Sequence, residues 1–136
     1  MATLQDAINA IQDVVGGVSG IRSAPDYAPD QLSTFPFALA FARTGTFEVG
    51  PVGMGKGLHT IVVEVHVARK DLPRDIQAAM AFSDAVPLAL LADTTLGGVV
   101  STFTNIRYEF GPMLWGKLET LGFRFYVEGI KLQTGL

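Results

Sequence analysis

Few residues in this chain invite a chemical reading. Gly50 to Gly57 reads GPVGMGKG. Gly50, Gly55 and Lys56 fall at the offsets of a phosphate-binding loop, but Gly57 stands where the magnesium-holding hydroxyl belongs. A phosphate loop opens a helix, whose N-terminal N–H groups help to hold the phosphates. Here the next segment, LHTIVVEVHVARKD, puts Ile61, Val63, Val65 and Val67 at alternate positions, which is the period of a strand. Its β-branched valines suit a pleated sheet better than a helix. With neither helix nor hydroxyl, the loop reads as a long flexible connection between strands. Met54 and Lys56 are then its candidate contact residues, an adaptable apolar side chain and a cation that can seek an acidic partner.

The remaining polar residues offer little more. His59 and His66 are an odd number of positions apart, so a regular strand sends them to opposite faces and denies them a shared metal. Glu64 and His66 share a face, but no third ligand is identifiable, and the pair reads as part of a solvated or interfacial polar face. Asp6 and Asp13 fall on the wet side of a helix, and Ser83 and Ser101 sit in no nucleophile motif. The polar groups are scattered, and no convergent catalytic pocket can be assembled from them. The expectation is a protein without enzymatic activity, cofactor or metal. Arg74 and Asp75 open a helix, either as a solvated first turn, where Asp75 suits the dipole, or as interface residues. Trp115, beside Met113 and Leu114 in a connecting segment, anchors either the core or an interface.

The elements that must position these residues follow from periodicity. TLQDAINAIQDVVGGVSG has Thr3 as N-cap with Asp6 three residues on. Leu4, Ala7, Ile8, Ile11, Val14, Val15 and Val18 fall on one face, Gln5, Asn9 and Gln12 on the other, and Gly16 and Gly17 end the helix. Three prolines break up the stretch from Ser23 to Pro36. Next, Phe35, Phe37, Leu39 and Phe41 alternate with Ala38, Ala40 and Ala42, whose small side chains let another layer approach closely. RTGT reads as a hairpin turn around Gly45, with Phe47 and Val49 on the returning strand. DLPRDIQAAMAFSDAVPLALLAD reads as a second helix, capped by Asp71, with Ile76, Ala79, Met80, Ser83, Val86, Leu90 and Leu91 in its stripe and a kink at Pro87. DTTLGGVVST reads as a loop, FTNIRYEFG as a strand, and PMLWGKLE as a connection to a last strand from Leu121, with a bulge at Gly129. The sum is one α+β domain over 1–136, a mostly antiparallel sheet with two main helices packed on one face.

Composition narrows the class. Hydrophobic residues make up 49% and charged residues 17% of the chain, which leaves little charge to cover a monomer's surface and suggests an oligomer or a permanent partner. A net charge of -3 speaks against a nucleic-acid binder. With no cysteine there are no disulfides. No apolar run reaches the roughly 18 residues of a membrane span, and no leader pattern is visible. The expectation is a protein made and used, or assembled, in a cytoplasm.

The ordered segments LHTIVVEVHVARKDLPRDIQAAM, LLADTTLGG, IRYEFGPMLWG and TLGFRFYVE resemble the small tail-terminator, or tail-completion, proteins of long-tailed bacteriophages, from about Ile21 to Leu132. The resemblance implies a structural virion protein of the tail and neck region, assembled in the host cytoplasm. It implies a hexameric ring that caps the tail tube, docks to the head connector or stopper protein, and lets DNA pass without specific binding. It implies no enzymatic activity and no membrane partner. Another neck protein, a stopper or an adaptor, is the nearest alternative. A small cytoplasmic ligand-binding protein or enzyme is the alternative from a different class.

Overall fold

The structure is a computed structural model that describes residues 3–25, 34–49 and 55–132. The first helix, α1 (Leu4–Gly16), starts as its sequence requires. The Thr3 hydroxyl accepts from the Asp6 N–H, the Asp6 carboxylate accepts from the Thr3 N–H, and Gly17 closes the far end. Its apolar face carries Ala7, Ile8, Ile11 and Val15 into the core. Gln12, expected on the wet face, is buried instead. Its Nε2 donates to the carbonyls of Ala38 and Pro25, so it ties α1 to the sheet and to the segment before it, while its Oε1 has no partner.

The sheet is antiparallel and curled, so the domain is α+β, as the periodicity implied. Strands β1 (Phe37–Val49) and β2 (Gly55–Ala68) pair along nearly their whole length. β2 also pairs with β5 (Leu118–Leu132), and the other side of β5 carries β3 (Val100–Thr102) and then β4 (Asn105–Trp115). β5 is thus the central strand, and β1 and β4 are edges.

Several boundaries differ from the sequence expectation, each for a local reason. β1 does not turn at Gly45 but runs on to Val49, with an irregularity between Ala42 and Thr44. Gly45 lies opposite His59, and a Cβ there would sit 2.5 Å from the imidazole. The glycine serves a close approach between strands and not a turn. The second helix is two, α2 (Leu72–Met80) and α3 (Phe82–Leu91), and Pro87 lies inside α3. The break falls at Ala81. Pro87 crowds the carbonyl of residue i−4, Ser83, and the Ser83 hydroxyl donates to the Met80 carbonyl at 2.8 Å. The buried stripe is Asp75, Ala79, Phe82, Val86 and Leu90. Ile76, Met80 and Leu91, expected in the stripe, are exposed. PMLW belongs to β4, and Gly116 with positive φ makes the tight turn into β5. β3 lies in the segment expected to be loop. The bulge at Gly129 is present: its φ is 72°, and a Cβ would meet Thr104 Oγ1 at 1.9 Å.

All three helices cover one face. Ala38 and Ala40, Ile61 through Val67 at alternate positions, and Phe123, Phe125, Val127 and Ile130 meet them in a single core. The valine, isoleucine and phenylalanine side chains contribute roughly 1.5–3 kcal/mol each when fully buried. The helices leave the β4 edge uncovered, so Tyr108, Phe110 and Leu114 are exposed.

Candidate functional site

The opposite face of the sheet carries the polar chemistry. Period-two alternation puts Glu64 and His66 of β2 on this face, together with Thr120, Arg124 and Tyr126 of β5. Register then sets the neighbours. Glu64 lies between Leu39 and Arg124, and Arg124 lies between Glu64 and Glu109. His66 lies opposite Gly122, where any side chain is forbidden because a Cβ would sit 1.8 Å from the Val65 carbonyl oxygen.

A continuous chain of bonds results. His66 Nδ1 lies 2.5 Å from Thr120 Oγ1, and His66 Nε2 lies 2.9 Å from Glu64 Oε1. Arg124 Nε donates to Glu64 Oε2 at 2.8 Å. Tyr126 donates its hydroxyl to Glu109 at 2.5 Å, and the Arg107 guanidinium lies 3.9 Å over the Tyr126 ring. The ionised Glu64 is an acceptor only, so His66 Nε2 carries a proton and donates to it. Burial alone would raise the Glu64 carboxyl. The bonds and charges of His66 and Arg124 outweigh burial and hold it below the usual glutamate value. In the same way, burial would lower Arg124, but its pairing with Glu64 raises it.

Hydroxyl, imidazole and carboxylate stand here in the order of a nucleophile, its base and an orienting acid. Accessibility decides what this order can do. Thr120 and His66 are both 0% exposed, and the Trp115 ring stands edge-on to the imidazole, 6.1 Å between centroids. In this conformation no substrate atom reaches the Thr120 oxygen. What the network does is hold β2 to β5 through paired charges under an aromatic cover. The cover itself spans the curl of the sheet, since Trp115 of edge strand β4 also packs on Phe41 of edge strand β1.

The residues singled out from sequence do not come together. Met54, the side chain of Lys56 and the expected flexibility of the loop lie outside the described residues. Arg74 is exposed and lies 3.6 Å from Asp71. Asp75 is not a solvated first-turn residue. Its carboxylate accepts from the Lys70 and Asp71 N–H groups at 2.7 and 2.9 Å, and so caps the start of α2 from inside the first turn. Asp71, the expected cap, makes no side-chain cap bond. Trp115 is half-buried at the end of β4 and not in a connection. His59 and His66 do face opposite ways: His59 packs on Phe47 and His66 on Trp115. Glu64 and His66, expected to be solvated or interfacial, are buried.

Sequence reasoning placed Glu64 and His66 on one face but missed Thr120 and Arg124, which join them only through the β2–β5 register. The signal was the pair itself, two ionisable residues inside a run of valines. Among the described residues no group of three or more His, Cys, Asp or Glu side chains converges. The chain matches no protein-family model and no curated protein.

Proposed function

We propose that the protein is a structural subunit of a virion, a tail terminator that forms a ring, hexameric by its resemblance, on the tail tube and joins it to the head connector. One observation carries this reading. From Ala42 to Val49 every residue of β1 is exposed, in an arm that among the described residues pairs with β2 alone. Beside Arg43 and Glu48 the arm exposes large apolar side chains: Phe47 is 66% exposed, Val49 91% and, on the paired stretch of β2, Leu58 49%. A second apolar surface lies on the outer side of α2, where Leu72, Ile76 and Met80 follow one another at four-residue spacing, all exposed. Two separate apolar surfaces on one subunit suit heterologous contacts, which generate rings when the rotation closes. The sealed polar network supports the same reading, because it stiffens the sheet without presenting a reactive group.

Light scattering across a range of concentrations, alone and with tail-tube protein, tests this. The expected outcome is a closed oligomer under at least one of these conditions, visible as rings by electron microscopy. A monomer under all of them overturns the proposal.

A further inference from the structure

A cleft of about 550 Å³ lies between the end of β2, the start of α2 and the segment that enters β1. Its apolar lining includes Phe35, Pro36 and Val67, and two cations, Arg22 and Lys70, stand at it. Neither cation has a carboxylate partner among the described residues. Both sit on pinned backbone. The Arg22 N–H donates to the Pro36 carbonyl at 2.9 Å, and the Lys70 N–H donates to Asp75 Oδ2 at 2.7 Å. Asp75 also lines the cleft, but its carboxylate is bonded to two N–H groups just before α2, and it is one charge against two. The uncommitted charge in the cleft is therefore positive, in a chain whose net charge is negative.

We propose that this cleft binds an organic carboxylate. Arg22 and Lys70 hold the carboxylate, and the Phe35–Pro36–Val67 lining covers an aromatic or branched body. The volume suits a small ligand, since such pockets run from roughly 300 to 1,000 Å³. A carboxylate fits better than a phosphate for two reasons. The backbone donors nearby, the N–H groups of Lys70 and Asp71, are taken by Asp75, which removes the backbone cradle that phosphate sites use and leaves the side chains of Arg22, Lys70 and Thr34 as the donors. An organic carboxylate also brings a body to cover the Phe35, Pro36 and Val67 lining, which a bare phosphate would leave open. This site is independent of ring assembly and does not rest on it.

The test is titration of the full chain with sodium benzoate, by calorimetry and by amide NMR shifts. Benzamide serves as the neutral analogue and acetate as the carboxylate without a body. The expected result is saturable benzoate binding with shifts centred on Arg22, Ala68, Lys70 and Ala78. Benzamide and acetate should each bind at least about tenfold more weakly, the loss expected for one charge-assisted hydrogen bond or for a buried ring face. Arg22→Gln with Lys70→Gln should lose benzoate binding at an unchanged melting temperature, since both residues are exposed. Absence of saturable binding overturns the proposal. So does benzamide or acetate binding as well as benzoate, an effect of the double variant no larger than twofold, or shifts centred elsewhere. The first two comparisons use the wild-type chain and stand whether or not the variant folds.

Discussion

Glu64 is the residue on which the polar face turns. It is 3% exposed and shares its two oxygens between His66 and Arg124. Its neutral analogue cannot accept from both partners as well, so Glu64→Gln is expected to destabilise by about 1.5–3 kcal/mol, the range for hydrogen bonds to charged groups. The upper end for a buried pair is not reached, because Arg124 is a third exposed and recovers some hydration. The pH dependence has a definite sign. A carboxyl whose folded value lies below its unfolded value contributes stability above the unfolded value, and loses it as the pH falls through the folded one. The folded value here is the lowered one. Denaturant midpoints of wild type and Glu64→Gln should therefore differ most near neutrality and converge as the pH falls from about 5 towards 3. Parallel curves would exclude an ionised Glu64 as the source. Gly122→Ala is a separate test of the same face. Its Cβ would sit 1.8 Å from the Val65 carbonyl oxygen, and a β2–β5 ladder that cannot shift should lose soluble expression.

Among the elements, β4 depends on one ring. Trp115 rests on His66 and Phe41, and so bridges from one edge strand to the other across the curl. Trp115→Ala should cost about 1–3 kcal/mol, within the usual range for a single truncation, and it should lower the hydrogen-exchange protection of Met113 to Leu118 before that of β2. Uniform loss across the sheet would mean that the ring supports the core and not the hairpin. Ile76→Gln and Met80→Gln, on the open side of α2, should change stability by less than about 0.5 kcal/mol. The pattern of what was legible follows the same division. Local rules wrote α1, its capping box and the alternation of β2 and β5 into the chain, and these could be read directly. Gln12 could not, because a polar residue on a helix reads as solvated until Ala38 and Pro25 bring carbonyls to it. Gly45 read as a turn because the His59 that requires it to be small lies on another strand. Ile76 and Met80 fitted a helical stripe that the break at Ala81 shifts towards Asp75, Ala79 and Phe82. The polar network was half legible: Glu64 and His66 by spacing, Thr120 and Arg124 only by register.

At the scale of the whole molecule, the division is between a sealed body and an open arm. The core and the polar face bury most of what β2 and β5 carry, while every residue in the distal half of β1 is exposed. A valine as exposed as Val49 gains almost nothing for the isolated subunit, and a contact that covered it would stabilise an assembly. Val49 is the cleaner probe of the two, because Phe47 already packs on His59 with ring centroids 4.8 Å apart. Val49→Asp keeps β-strand geometry exposed to water and should leave the melting temperature of the subunit within error. If the arm seats on a neighbouring subunit or on the tail tube, the same change places an unpaired charge in a closed contact, at a cost of several kcal/mol per interface. Repeated around a ring, that cost should abolish the oligomer in light scattering and leave tails without joined heads in electron microscopy. Arg43→Gln, on the same arm but already charged and exposed, should assemble normally and controls for a general effect of arm substitutions. If Val49→Asp forms oligomers as readily as wild type, the arm is not the assembly surface. The exposed stripe of α2 would then be the next surface to test, by Ile76→Asp in the same assays.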